Sequence, residues 1–427
     1  MANVRYRPNA PSAAQISTVT PGGTIESGDI FTVTLENPQG DSSTITFTAT
    51  ATTVANVVAG LVAAAAAAKT AGQDPWDEVT AADVSTTHMS LTATVAGVPF
   101  YVTVATTEAG GGAADDQTIA TAITTACSGV GILSLATNWE DAAVPVAGSV
   151  VVFPAGTTGT LYGHDMTVGG TVAFAGFIIE AGVTATIGTK DRPLHIDLLY
   201  SASYYSADLR SWGAGTYLEI DNYKTVDITG SGGVAGAGIP GLNITGVLDA
   251  TATGTINVNG GSSASVGLAA LNGQTLEVNT VKVTAGTVTI GAAVTDKGGS
   301  AAFAFTKSGG TTYNYSPLLS MTSTGGTLYQ EAGGVTTTFS ENGGTTWYNS
   351  DGTLAAATPV VAKGGTLRFD GNTKGRAVTN TILLQAGATM RDPGATVTTL
   401  AFTLDQCGFE DVTLAVGKNW KYTRTAV

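Results

Sequence analysis

Short runs of alternating apolar and polar residues, separated by glycine-rich turns, dominate the chain from about residue 150 to its end. This alternation is typical of half-buried β-strands. Gly-Gly-Thr recurs, usually before an aliphatic or aromatic residue, at 169–171, 309–311, 325–327, 343–345 and 364–366. The later copies start roughly 20 residues apart, near the shortest repeats of solenoid proteins. We therefore expect residues 136–427 to form a parallel β-helix or β-solenoid.

An array of β-sandwiches is the competing interpretation of these runs. It would need longer strands joined by hairpin turns, whereas the runs here are short and are punctuated by glycine, as in Thr255–Val258 and Val288–Ile290. No charged residue falls between Asp249 and Glu277, as expected where strand faces are packed or covered by a neighbour. The pattern favours the solenoid.

The pattern differs between residues 19 and 135, where we expect an α+β docking domain. Apolar and polar residues alternate over 31–35 and again over 45–49, which predicts a hairpin with one buried face. The alanine-rich run from Val54 to Ala68 predicts a helix. Its small side chains would allow close approach to that hairpin.

The second half of this domain is expected to repeat the first. The runs 91–95 and 100–104 predict another hairpin about Gly97-Val98-Pro99, and Ala113 to Ala126 predicts a second helix. The resulting order is ββα-ββα. The whole chain is thus predicted to be mainly β, with an α+β domain followed by the solenoid.

Residues 1–18 predict an extended N-terminal arm. They contain Arg5, Arg7 and two prolines but no acidic residue and no apolar period, and the next basic residue is Lys69. The two arginines form a local positive patch on an acidic chain. We expect them to bind an acidic neighbour.

Composition and charge narrow the classes of partner. Only 12% of residues are charged, against roughly 25% in an average soluble domain, so solubility must come largely from Thr, Ser and Asn. The net charge of −14 and the pI of about 4.5 oppose binding to nucleic acid or to an anionic membrane. We also find no secretory signal and no apolar run long enough for a membrane helix.

Several segments of the first 155 residues resemble a known family. The segments Gly28–Leu35, Thr44–Leu61 and Leu91–Phe100 are similar to a module of structural proteins from tailed bacteriophages. Ala136–Trp139, followed by Ala143–Phe153, resembles the entry into phage-type β-helical proteins. The resemblance implies a virion protein on the capsid surface, made in the bacterial host cytoplasm, with the major capsid protein or other virion proteins as partners. By analogy with such proteins we expect a homotrimer.

The densest mixture of carboxylates and aromatic residues lies between Asp191 and Asp227. Tyr204, Tyr205 and Trp212 are of the types enriched in protein interfaces, and we assign them to partner binding. Glu219 and Asp221 would share one face of a strand, where paired carboxylates beside aromatic residues could also contact or cleave a surface glycan. Protein contact is the interpretation that we adopt.

No other motif predicts chemistry. The three histidines, His88, His164 and His195, are far apart and have no metal-ligand spacing, and Cys127 and Cys407 have no neighbouring histidine. Gly236–Gly241 matches GxGxxG, but a strand pattern follows it instead of the helix that a nucleotide site needs. We assign no catalytic, cofactor or metal residue.

The function predicted from the sequence is therefore that of a non-enzymatic virion protein. Decoration or reinforcement of the capsid through the N-terminal region is the first hypothesis. A tail fibre, spike or receptor-binding adhesin is the alternative, and a glycan-degrading enzyme is less favoured.

Overall fold

The protein is mainly β in a computed structural model. The structure describes residues 2–424 apart from 110–115, 163–171, 233–238, 271–273, 298–301, 371–375, 408–411, 417–419 and the single positions 250, 262, 363 and 406. In the described part, no helix combines the length and the hydropathy that crossing a membrane would require.

The N-terminal part contains the single α-helix among the described residues. Its elements are β1 (Asn3–Arg5), β2 (Ile16–Gly23), β3 (Ile30–Glu36), β4 (Ser42–Thr48), α1 (Val54–Thr70), β5 (Val79–Val84), β6 (His88–Ala93), β7 (Tyr101–Thr107) and β8 (Gln117–Thr125). Short 3-10 turns lie at Trp76–Glu78, between α1 and β5, and at Ala136–Asn138 and Glu140–Ala142, after β8. Strands β5-β6-β2-β8 form one antiparallel sheet and β4-β3-β7 form another.

The first predicted hairpin and the first helix are confirmed. Strand β3 pairs antiparallel with β4, with Phe31 opposite Phe47. Thr53 caps α1 by accepting a hydrogen bond from the Asn56 backbone N–H, as N-cap threonines do. A Cβ at Gly60 would lie 2.2 Å from the Phe47 ring, so the helix rests on the sheet at a distance that only glycine permits.

The second predicted hairpin and the second helix are wrong. Strand β6 pairs with β5 and β2, whereas β7 pairs with β3 in the other sheet. Strand β8 replaces the described part of the helix expected over 113–126, and residues 113–115 lie outside the described residues. The β-branched residues of β8 pair with all of β2, and this tertiary pairing outweighs the helix propensity of alanine.

Most strands after residue 150 belong to two long parallel sheets. The first long sheet contains β1, β9 (Val150–Phe153), β11 (Gly176–Ile179), β16 (Ser206–Trp212), β18 (Thr225–Gly232), β20 (Thr255–Asn259), β23 (Thr280–Ala285), β26 (Phe303–Lys307), β28 (Leu318–Ser323), β30 (Val335–Glu341), β32 (Val360–Val361), β34 (Arg376–Ala377), β35 (Ile382–Leu384), β37 (Val397–Leu404) and β39 (Trp420–Arg424).

The second long sheet has eleven strands. They are β13 (Leu194–Asp197), β17 (Thr216–Asp221), β19 (Leu242–Thr245), β21 (Ser265–Leu268), β24 (Thr287–Ile290), β27 (Thr311–Asn314), β29 (Thr327–Gln330), β31 (Gly344–Tyr348), β33 (Gly365–Arg368), β36 (Thr389–Asp392) and β38 (Thr413–Val416). Shorter pairs are β10 (Thr160–Leu161) with β12 (Thr186–Ile187), β14 (Leu199–Tyr200) with β15 (Ser203–Tyr204), and β22 (Leu276–Glu277) with β25 (Val294–Thr295).

From β16 to β33 the chain visits the two long sheets in alternation, apart from the short strands β22 and β25, and each strand lies beside the next strand of its own sheet. Every described pairing within these two sheets is parallel. The β-sandwich interpretation, which needs strands joined by hairpins, is therefore wrong for the described residues.

The Gly-Gly-Thr repeat marks the period of this alternation. The threonines of four copies, Thr311, Thr327, Thr345 and Thr366, are paired in register on successive strands of the second long sheet. Gly326 precedes β29 with φ +74°, a left-handed conformation that disfavours a side chain. The copy at 169–171 lies outside the described residues.

A continuous apolar column fills the space behind the first long sheet. Its members occupy equivalent positions on successive strands: Val151, Phe177, Ala207, Val226, Ile256, Val281, Phe305, Met321 and Phe339. All are at most 1% exposed. This column belongs to one hydrophobic cluster that extends from Tyr6 to Leu404, while the N-terminal sheets and α1 enclose a separate cluster.

Gly326 gives a test of the stacked turns. A Cβ at Gly326 would lie 2.5 Å from the Gly309 backbone of the neighbouring repeat. Gly156 also has a positive φ, +85°, but a Cβ at Gly156 would have nothing within 4 Å. We expect Gly156→Ala to cost about 1–2 kcal/mol of unfolding free energy from the backbone conformation alone. Gly326→Ala should cost clearly more, because a repeat must also shift. Equal losses in chemical denaturation would contradict the close stacking.

Candidate functional site

The N-terminal residues are extended, but they do not form a free arm. Strand β1 is the first strand of the first long sheet and pairs with Val150–Val152. Tyr6 is 1% exposed, with its ring 5.4 Å from those of Trp139 and Phe153. Strand β2 then begins at Ile16, inside the segment predicted as the arm. Residues 1–18 show no apolar period because only one short strand, β1, and one tyrosine, Tyr6, make these contacts with the rest of the chain.

The two arginines of this segment have different surroundings. Arg5 Nη2 donates to both carboxylate oxygens of Glu180 at 2.9 Å, and Glu140 lies 3.8 Å from Arg5 Nε. Arg5 thus forms an ion pair inside the chain, and its assignment to partner binding stays a prediction. Arg7 is exposed, and its assignment to partner binding stays a prediction.

The three aromatic residues assigned to an interface do not form one surface. Trp212 is 2% exposed and packs in the core, where its partner in the next strand is Gly232, whose missing side chain makes room for the indole. A contact between Trp212 and another protein is therefore ruled out in this conformation. Tyr204 is half-buried and donates to Asp249, while Tyr205 is half-buried against the same core.

Three chemically active side chains from the 191–227 segment do come together. His195 on β13 lies opposite Glu219 on β17, and Asp197 lies opposite Asp221. Their neighbours Leu194, Ile196, Leu218 and Ile220 point into the core, so His195, Glu219 and Asp221 face outward by strand alternation. One donor atom from each of the three lies within 4.8 Å of the others. We call these three residues the His-Glu-Asp cluster.

The two carboxylates of this cluster differ in their hydrogen bonds. Asp221 Oδ2 is 2.8 Å from His195 Nε2, and Asp221 Oδ1 accepts from the Val247 backbone N–H at 2.7 Å. Both Asp221 oxygens are thus occupied. The Glu219 side chain makes no hydrogen bond or ion pair with any residue that the structure describes.

Glu219 also lines a surface cleft of about 230 Å³. The other lining residues are Lys190, Pro193, Thr245, Gly246, Val247, Gln274 and Thr275. Gln274 Oε1 is shielded from solvent and has no hydrogen-bond donor among the described residues. The cleft therefore offers an available carboxylate to a ligand.

The surroundings of His195 favour its protonated form. The hydrogen bond to Asp221 raises the pKa of His195, and the negative charges of Asp221, Glu219 and Asp197 raise it further, against the opposing effect of burial. The side chains of His195 and Asp221 are 18% and 15% exposed.

A second group of functional interest was missed by the sequence analysis. Tyr313, Tyr329 and Trp347 stack on successive strands of the second long sheet, with ring centroids 4.9 and 5.9 Å apart, and the Arg368 guanidinium lies 3.4 Å above the Trp347 ring. Each follows a Gly-Gly-Thr threonine by two residues, and this offset was the available signal. The ring faces cover one another, so the ladder stabilises the sheet.

Comparisons with family models, with curated proteins and with solved structures give no match to this chain.

The His-Glu-Asp cluster itself was not predicted, because His195 and Glu219 are far apart in sequence and only the pairing of β13 with β17 brings them together. His164 lies outside the described residues, and the GxGxxG match at 236–241 lies partly outside them.

The two N-terminal arginines give a matched pair of variants. Arg5→Glu would place a third carboxylate beside Glu180 and Glu140, so we expect it to lower the unfolding free energy by about 1 kcal/mol or more. Arg7→Glu, at an exposed position, should change it by less than about 0.5 kcal/mol. Urea denaturation measures both, and equal effects would contradict the Arg5–Glu180 contact.

His195 gives a prediction on pH. In NMR titration its pKa should lie above the ordinary value of about 6.5, and Asp221→Asn should lower it. Because the folded-state pKa is raised, the His195–Asp221 contact stabilises the fold fully below the unfolded-state value and loses this contribution as pH rises through the folded-state pKa. A pKa that stays unchanged in Asp221→Asn would contradict the hydrogen bond.

Proposed function

We propose that the protein is a non-enzymatic structural component of a tailed-bacteriophage virion. Decoration or reinforcement of the capsid surface is the role that we favour, and a tail fibre, spike or receptor-binding adhesin is the alternative. The sequence resemblance of the first 155 residues supports a virion role. The architecture supports a mechanical one.

We further propose that the two long sheets are faces of one parallel β-helix. Alternating visits to two parallel sheets, with in-register partners from one repeat to the next, support this interpretation. Each repeat would then be held by backbone hydrogen bonds on both sides. Such a body projects from a surface without losing much conformational entropy when it binds.

The observation that carries the proposal is the connection between this body and the N-terminal sheets. The chain forms β1 within the first long sheet, builds the N-terminal sheets and α1, and returns as β9 beside β1. A second contact lies elsewhere, where Arg192 donates to Glu36 and Thr189 donates to the Pro38 carbonyl at 3.0 Å. Force on the parallel sheets would therefore pass to the N-terminal sheets through two contacts, as a reinforcing protein requires.

The partner in this proposal is the major capsid protein or another virion protein, contacted through the N-terminal region. Arg7 and the exposed faces of β7 and β8 are the candidate contacts. A homotrimer on a symmetric lattice would gain avidity from modest individual contacts.

Glycan cleavage is the second candidate function, because Glu219 and Asp221 lie on one face of β17 and Glu219 lines a cleft. A glycosidase needs one carboxylate as acid and the other as base or nucleophile. Here both oxygens of Asp221 are engaged by His195 and Val247, which weighs against the second role. A surface glycan could still bind in the cleft.

Electron cryo-microscopy of virions tests the virion proposal. We expect density for this chain on the capsid surface, with the N-terminal sheets next to the major capsid protein and particles lacking the chain less resistant to heat or osmotic shock. Density at the tail tip would favour the fibre or spike alternative over decoration. Absence of the chain from purified virions would contradict the proposal, and polysaccharide shortening that is lost in Glu219→Gln would contradict the non-enzymatic assignment.

A further inference from the structure

The His-Glu-Asp cluster has the chemistry of a metal site. It combines one imidazole nitrogen with two carboxylate oxygens on adjacent parallel strands, so the backbone hydrogen bonds of the second long sheet fix the spacing of the three side chains. Asp197, the remaining outward carboxylate of β13, accepts from the Leu199 backbone N–H and from Asn222 Nδ2. Both donors bind Asp197 Oδ1, and Asp197 is not among the three residues whose donor atoms lie together.

The distances suit direct coordination. Zinc binds nitrogen and oxygen ligands at about 2.0–2.2 Å, which places the ligand atoms of one ion roughly 3 to 4 Å apart. The three donor atoms here all lie within 4.8 Å of one another, and His195 Nε2 and Asp221 Oδ2 are 2.8 Å apart. Small rotations of the Glu219 side chain, which has no partner in the described residues, would complete the set.

A hydrogen bond outside the cluster orients one ligand. The Val247 backbone N–H holds Asp221 Oδ1, which turns Oδ2 toward His195. Support of this kind from a second layer of residues is a general feature of metal sites.

The cleft beside Glu219 is an independent indication of a ligand. Its volume of about 230 Å³ leaves space for water or a further ligand on the side of the ion that the protein does not cover. Gln274 lines the same cleft. Three protein ligands with water or substrate in the fourth position are the arrangement of open, catalytic-type zinc sites.

We propose that His195, Glu219 and Asp221 bind a divalent transition-metal ion, with Zn²⁺ as the reference ion. The imidazole ligand favours such an ion over Ca²⁺ or Mg²⁺, which take oxygen ligands. The bound ion replaces the hydrogen bond between His195 and Asp221 and joins β13 to β17 through their side chains. This site is independent of the proposed place of the protein in a virion.

Isothermal titration calorimetry with Zn²⁺ on the chelator-treated, dialysed full chain tests the site. We expect one ion per chain, and binding at least about tenfold weaker in His195→Gln and in Glu219→Gln. Asp208→Asn is the matched control, because Asp208 is a carboxylate on the outward side of the first long sheet and is paired with Arg210. It should bind Zn²⁺ like the wild type, and Ca²⁺ should bind far more weakly to all variants.

Glu219→Gln keeps the test decisive even if His195→Gln unfolds the protein, since the Glu219 side chain makes no hydrogen bond or ion pair with a described residue. Zn²⁺ should also raise the thermal midpoint of the wild type, and Glu219→Gln should abolish most of that rise. No binding by the wild type up to about 1 mM Zn²⁺, the weak end of the affinity scale, would overturn the proposal. Binding that Glu219→Gln leaves unchanged would overturn it as well.

Discussion

Parallel pairing in register between successive repeats is the constraint on which the rest of the structure depends. Neighbouring strands lie about 4.8 Å apart, so each position of one repeat is directly beside the same position of the next. The apolar column from Val151 to Phe339 and the ladder of Tyr313, Tyr329 and Trp347 are both consequences of that register. The His-Glu-Asp cluster has the same origin, because β13 and β17 place a histidine opposite a glutamate.

The same register allows polar residues buried between the repeats to find hydrogen-bond and ion-pair partners. Lys307 and Glu341 are both 0% exposed, with Nζ and Oε2 3.7 Å apart. Lys307 Nζ donates to the carbonyls of Gly325 and Gly326, and Glu341 accepts from the Thr346 hydroxyl at 2.5 Å. Burial lowers the pKa of Lys307 and raises that of Glu341, and each charge opposes the shift of the other. Removing one partner from such a pair generally costs about 3–5 kcal/mol. Because Lys307 and Glu341 lie two strands apart in the first long sheet, the pair links three successive repeats.

The sequence predicted the features that repeat and missed those that depend on distant pairing. Gly-Gly-Thr located β27, β29, β31 and β33 because left-handed glycines are needed before each of these strands. The hairpin of β3 and β4 was predictable from local alternation, and the helix α1 from its alanine-rich run. Strand β8 was mistaken for a helix, since alanine content says nothing about the availability of β2 as a partner. Trp212 was assigned to an interface because its type is frequent there, while its burial depends on Gly232 in the next strand.

The most direct test of the register is disulfide formation between engineered cysteines, with Cys127 and Cys407 replaced by serine. Thr327 and Thr345 are paired on β29 and β31, whereas Thr311 lies one further strand away on β27. The account predicts that Thr327→Cys with Thr345→Cys forms a disulfide on mild oxidation of the native protein, because adjacent strands lie within the Cα separation of about 4.4–6.8 Å that disulfides need. Thr311→Cys with Thr345→Cys, about two strand spacings apart, should stay reduced. Equal oxidation of the two variants, or oxidation of the second alone, would contradict the parallel register and the account built on it.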